Sequence, residues 1–348
     1  MIPASPLRMR IAAVYALLAL TNVGAWLWAV AAFHGTPALS SAGLAVYGLG
    51  LRHAVDADHI AAIDNVTRKL LQDRQRPVSI GLFFAAGHST VVLIVVAAIL
   101  GATRLFDSMQ AFRTIGSNIS TIISAGFLVL IAMVNISTFA ALWKTWCRLR
   151  AGETVDNAGI DILLNGRGVL ARISRPLFRI ITKSWHMFPL GFLFGLGFDT
   201  ATEVAMFGVS ATQVSHGMPI YAVLAFPALF AAGMMLVDST DGIAMLRAYE
   251  WAFVRPVRKV FYNMAITLVS VVVALLIASI EAIQLIGDNL HLNSGIWRVA
   301  AFLNEHFNEI GLIIIGVFLV AWTLSYLIYK AKGQVDFDVP LPWVASSR

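Results

Sequence analysis

The chain of 348 residues is 59% hydrophobic and only 13% charged, about half the ~25% charged share of a soluble globular domain, which excludes a single water-soluble core. Its formal net charge of +6 does not mark a nucleic-acid partner, because Lys and Arg fall in short blocks between apolar stretches, where membrane topology accounts for them. Cys147 is the only cysteine, so an intrachain disulfide and a thiolate metal cluster are both excluded, and a metal must be held by His, Asp, Glu, Asn or backbone.

The first apolar run, Ala12 to Phe33, follows Arg8 and Arg10 in the manner of a signal peptide. At ~22 residues, with Trp26 and Trp28 inside it, the run is longer than the usual ~7–15-residue apolar core of such a peptide, and it reads as an uncleaved first helix. Further spans are predicted at 43–67, 78–101, 118–143, 187–210, 220–246, 260–286 and 310–329. The expected architecture is an all-α polytopic membrane protein of about eight transmembrane helices. The transmembrane domain covers 1–330, with a cytoplasmic loop at 144–185 and a cytoplasmic tail at 331–348.

Basic residues orient these spans. Arg68, Lys69, Arg74 and Arg76 fall between spans two and three, and Arg247, Arg255, Arg258 and Lys259 between six and seven. The 144–185 connection adds Lys144, Arg148, Arg150, Arg167, Arg172, Arg175, Arg179 and Lys183. All three belong on the cytoplasmic side. The alternate connections are short or carry acids such as Asp288, Glu305 and Glu309. An even helix count with both termini cytoplasmic fits every loop.

An ionised side chain at the bilayer centre costs at least ~2.5–3.5 kcal/mol on insertion scales, so it needs a partner or a wet cavity. Seven acids stand out within the predicted spans, on three helices: Asp56, Asp58, Asp64, Asp199, Glu203, Asp238 and Asp241. Arg52 is the nearby base, and one base does not neutralise them, so a bound cation is the natural counter-charge. The densest group is Arg52-His53-Ala54-Val55-Asp56-Ala57-Asp58-His59, followed by Asp64 and Asn65 on the same span. Imidazole nitrogen and carboxylate oxygen suit divalent metals such as nickel, cobalt and zinc. At ~100° per residue, His53, Asp56 and His59 share an arc of about 120°, while Asp58 points away from them. Either Asp58 serves another helix, or the segment is unwound here, as broken transporter helices often are. Polar packing between helices is the bland alternative, and it does not call for two imidazoles and two carboxylates within one short segment.

Span three adds Gly87-His88-Ser89, with His88 a candidate ligand and Gly87 suited to close helix approach. In span five, Asp199, Thr200 and Glu203 fall in Gly195-Leu-Gly-Phe-Asp-Thr-Ala-Thr-Glu203, with the two acids on one helix face. In span six, Asp238-Ser-Thr-Asp241 sets two acids beside two hydroxyls. These four acids can steady ligands, tether helices, ligate directly or relay protons, and Asp64, Asn65, Ser89 and Thr200 are expected to steady ligands or line a pathway. Asp-Ala-Asp-His-Ile-Ala in span two and Thr-Ala-Thr-Glu-Val-Ala in span five also suggest that spans two to four and five to seven form an inverted repeat.

The segment Arg52 to Ile60 resembles the nickel/cobalt transporter family, whose signature H-x4-D-H is matched by His53, Asp58 and His59. Gly87-His88-Ser89, Leu196 to Glu203 and Leu236 to Gly242 resemble further segments of that family, in the same order. The resemblance implies high-affinity uptake of Ni2+, in some members Co2+, across the bacterial inner membrane, with no resident cofactor and no enzymatic activity. Composition and spacing alone reach a divalent transition-metal permease, with the metal ion and the lipid bilayer as partners and no signal for oligomeric state. Efflux of the same metals is the nearest alternative, although the 144–185 loop has no His-rich run. An intramembrane aspartyl protease is weaker, since Gly195-Leu-Gly-Phe-Asp199 carries one residue too many for Gly-x-Gly-Asp and leaves the span-two cluster without a role.

Overall fold

The computed structural model describes residues 7–34, 36–73, 75–101, 106–150, 181–196, 206, 209–210, 212–213, 218–252 and 256–331. Among these residues the elements are helices and no strand occurs. They are α1 (Leu7–Ala32), α2 (Pro37–His53), α3 (Ala57–Gln72), α4 (Ile80–Gly101), α5 (Phe106–Arg150), α6 (Met187–Phe194), α7 (Ile220–Val223), α8 (Ala225–Ala252), α9 (Pro256–Asn289), α10 (Ile296–Glu305) and α11 (Phe307–Ala331).

Four stretches among the described residues are long and apolar enough to cross a bilayer: Leu7–Ala32, Ile80–Ala97, Ile220–Tyr249 and Thr267–Asn289. The pair α10 and α11, bent by 75° between them, makes a fifth if counted together. The protein is thus all-α and polytopic, as its composition requires. Predicted span two is two helices, because the chain breaks at Ala54–Asp56. Predicted span four lies inside α5, which runs on to Arg150 and so takes in the first residues of the expected loop. Residues 151–180 of that loop, the tail from 332, and most of span five beyond Leu196, including the Thr-Ala-Thr-Glu-Val segment on which the expected repeat is matched, lie outside the described residues.

The helix order follows from which faces can meet lipid. α1 is apolar, and Leu17, Leu20, Leu27 and Val30 on it are exposed, as suits a peripheral helix in hydrocarbon. α3 is the opposite case. Its sequence is polar, yet His59 through Arg68 are buried without interruption, because α3 packs against α4, α5, α8, α9 and α11. Protein surrounds what lipid would reject. α8 lies against α1, α2, α3 and α4, and α5 pairs along its length with α9. The α4–α6 crossing is held close by two glycines facing each other's backbones. Gly87 lies against the Phe188 carbonyl and Gly191 against the Phe84 carbonyl, and neither position leaves room for a Cβ. That is the close approach small residues permit between membrane helices.

Candidate metal centre

In a continuous helix the six-residue step from His53 to His59 would separate them by ~9 Å along the axis. The break removes that separation. α2 ends at His53, and its last turn tightens through Val55 N–H to Arg52 O at 3.0 Å and Asp56 N–H to His53 O at 3.0 Å. Asp56 then turns extended, with φ −60° and ψ 143°, and α3 begins at Ala57. Of the two arrangements open from the sequence, the chain takes the unwound one. The His53 and His59 ring centroids come to 4.7 Å. α4 delivers His88 to the same point, with its ring 4.9 Å from that of His53 and 5.0 Å from that of His59.

One nitrogen from each of the three imidazoles lies within 4.8 Å of the others. His53, His59 and His88 are only 2%, 0% and 3% exposed, so water does not screen them. Each of two rings is tied down by a carboxylate. His53 Nδ1 is 2.7 Å from Asp56 Oδ2, and His59 Nδ1 is 3.4 Å from both oxygens of Asp238 on α8. An ionised carboxylate only accepts, so Nδ1 carries a proton in both rings and Nε2 is the nitrogen that offers a lone pair when the ring is neutral. That is the arrangement of a metal-ligating histidine steadied from behind. Phe84 packs edge-on against His59 at 4.8 Å. His59 Nε2 is buried and has no hydrogen-bond partner among the described residues, an arrangement that costs ~1–3 kcal/mol unless something accepts that lone pair. His53 Nε2 and His88 Nε2 are 3.0 Å apart, a spacing that requires a proton on one of them when no cation is present.

The remaining predicted residues divide. Asp58 is half-buried in the first turn of α3 and makes none of the hydrogen bonds just described. Among the described residues, the buried Ser89 hydroxyl beside His88 and one buried carboxylate oxygen of Asp241 have no hydrogen-bond partner. Asp64 and Asn65 belong to a separate network further along α3. Asp64 accepts from Tyr249 and from Ser270 Oγ at 2.8 Å, and Asn65 Oδ1 accepts from Asn135 Nδ2 at 2.6 Å. Arg68, expected in the cytoplasmic loop, is fully buried and reaches Asn65 Oδ1 at 3.5 Å. Asp199, Thr200 and Glu203 lie outside the described residues.

Sequence reasoning missed several partners. Asn135 and Ser270 stand in apolar runs and could have been read as polar residues inside spans four and seven. Glu281, an eighth acid within the predicted spans, accepts from Ser124 Oγ at 2.9 Å. Asn308 donates to Asp56 Oδ1, and it precedes predicted span eight, so no span-based reading would select it.

Apolar helices that only a bilayer can solvate, closed around a cluster of buried imidazoles, define a multi-pass membrane protein with a polar interior. The chain belongs to the high-affinity nickel-transport protein family, NicO, whose profile matches residues 39–328. It is 50% identical over 334 residues to a high-affinity nickel transport protein of Cupriavidus necator, covering 95% of each chain. It is 44% identical over 297 residues to the nickel transporter NixA of Staphylococcus aureus, covering 84% of this chain and 86% of that one. It is 36% identical over 310 residues to the cobalt transport protein NhlF of Rhodococcus rhodochrous, covering 87% of both. No solved structure matches. Membership in a family of transport proteins sets aside the protease reading.

Proposed function

We propose that the protein imports Ni2+, and Co2+ as a second substrate, across the bacterial inner membrane, with His53, His59 and His88 as the ligands that take the dehydrated ion at mid-membrane. The convergence of those three buried imidazoles carries this reading. Neutral imidazole suits nickel and related ions, and Asp56 and Asp238 together supply two negative charges against the two positive charges of the cargo. Asp58, beside His59, adds a further carboxylate to the same field, and Ser89, Asp241, Asp64 and Asn65 line or steady the path. Asp199, Thr200 and Glu203, which lie outside the described residues, are assigned to the same path from the sequence alone.

Import rather than export is favoured by the family's relatives and by the lack of a His-rich buffering run at 144–185. Cells expressing the protein should accumulate radioactive nickel at limiting external metal, above cells carrying an empty vector. Lower cellular nickel with greater resistance to toxic nickel would instead establish efflux. Both termini and the 144–185 loop face the cytoplasm in this reading, which gives Cys147 a use. It is the only cysteine, it is exposed, and it sits near the C-terminal end of α5. A membrane-impermeant maleimide should label it in inside-out vesicles and leave it unlabelled in intact spheroplasts. The reverse pattern would invert the topology.

A further inference from the structure

Asp56 occupies the position from which an aspartate ordinarily caps a helix by accepting a backbone N–H of the first turn. Here it makes no such bond to α3. Its carboxylate is turned to other partners, with Oδ2 on His53 Nδ1 at 2.7 Å and Oδ1 accepting from Asn308 Nδ2. Asn308 is the second residue of α11, directly past the 75° bend that separates α11 from α10. One turn further on, Gly311 lies against the Val55 carbonyl so closely that a Cβ there would overlap it. α11 therefore meets the Ala54–Asp56 break twice, once through a hydrogen bond and once through backbone contact.

From this geometry we infer that Asn308 is a positioning residue of the metal site, acting on His53 through Asp56. The inference rests on the imidazole site proposed above. A carboxylate held by one oxygen can still swing about its Cβ–Cγ bond. Held by both, it fixes the direction from which His53 is gripped, and with it the direction of the Nε2 lone pair. α11 is then part of the site's frame, and the chain needs a side-chain N–H donor at position 308. A hydroxyl at the same Cα would fall short, and a carboxylate would face Asp56 with no proton to give.

The test uses the full-length protein, purified in detergent and titrated with Ni2+ by calorimetry, with thermal unfolding of the metal-free form as a check on folding. Asn308→Asp keeps the shape and loses the donor; Asn308→Ala loses both. Each should raise the Kd for Ni2+ by roughly 10- to 100-fold, the range for partners that orient a ligand, with the unfolding midpoint of Asn308→Asp close to wild type. Asp56→Ala should weaken binding at least as much. The double variant Asp56→Ala/Asn308→Ala should bind no worse than Asp56→Ala alone, since residues acting through one contact do not add. Wild-type affinity in both Asn308 variants, or multiplying effects in the double variant, would overturn the role of Asn308 while leaving the imidazole site standing. Undiminished binding in Asp56→Ala would overturn this inference alone, whereas undiminished binding in the His53→Ala, His59→Ala and His88→Ala proteins would remove the site reading and this inference together.

Discussion

Alanine in place of any one of His53, His59 and His88 is expected to abolish nickel uptake at limiting external metal, with the protein still present in the membrane. Loss of a residue that only orients a ligand costs about 10- to 100-fold in metal affinity, and loss of a ligand removes the bond itself, so the decrement should exceed that range. The three are not redundant. His53 and His59 are brought together by the break between α2 and α3, whereas His88 comes from α4, so none of the three can stand in for another. His88→Ala is the most informative of the three. His88 lies outside the span-two signature, and its assignment rests on a 3.0 Å approach to His53 and on burial. Uptake should be measured with radioactive nickel and normalised to immunodetected protein. A His88→Ala protein with wild-type uptake would reduce the site to span two and require a different third ligand.

The span-two cluster was legible because its chemistry is dense. Imidazoles and carboxylates at 53, 56, 58 and 59 cannot all be hidden from lipid by chance, and the angular argument already showed that a straight helix could not aim them at one ion. What a single segment cannot reveal is what packs around it. Asp238 was visible as an intramembrane acid, but its pairing with His59 depends on α8 lying against α3, a contact across 179 residues. Tyr249 and Asn308 gave no signal at all, since one tyrosine or one asparagine near the end of an apolar run is commonplace. Helix limits failed for a different reason. Hydropathy reports depth in the membrane, not where a helix stops. α5 continues past Trp143 through Lys144, Arg148 and Arg150, residues that are good helix formers. Arg68 shows the converse. A basic residue at the end of an apolar run predicts a loop, yet α3 carries Arg68 into a protein-lined interior where it is fully buried.

The carboxylates should separate by what each is asked to do. Asp238 is fully buried, with both oxygens 3.4 Å from His59 Nδ1, so it must supply charge and also geometry. Asp58 is half-buried and bonded to none of the three imidazoles, so in this reading it supplies charge alone. Asp238→Asn and Asp58→Asn keep size and remove charge, and both should weaken Ni2+ binding, Asp238→Asn by about 10- to 100-fold. Glutamate then distinguishes them. Asp58→Glu restores the negative charge at a position with room to adjust and should recover most of the affinity. Asp238→Glu adds a methylene inside a close-packed interior, where overpacking costs ~1–3 kcal/mol, and displaces the oxygens that aim His59. It should remain impaired in Ni2+ titrations despite carrying the charge. Recovery by Asp238→Glu would mean that charge suffices at both positions. Normal binding by Asp58→Asn would mean that Asp56 and Asp238 alone balance the ion, and the signature aspartate would then need a role outside the site.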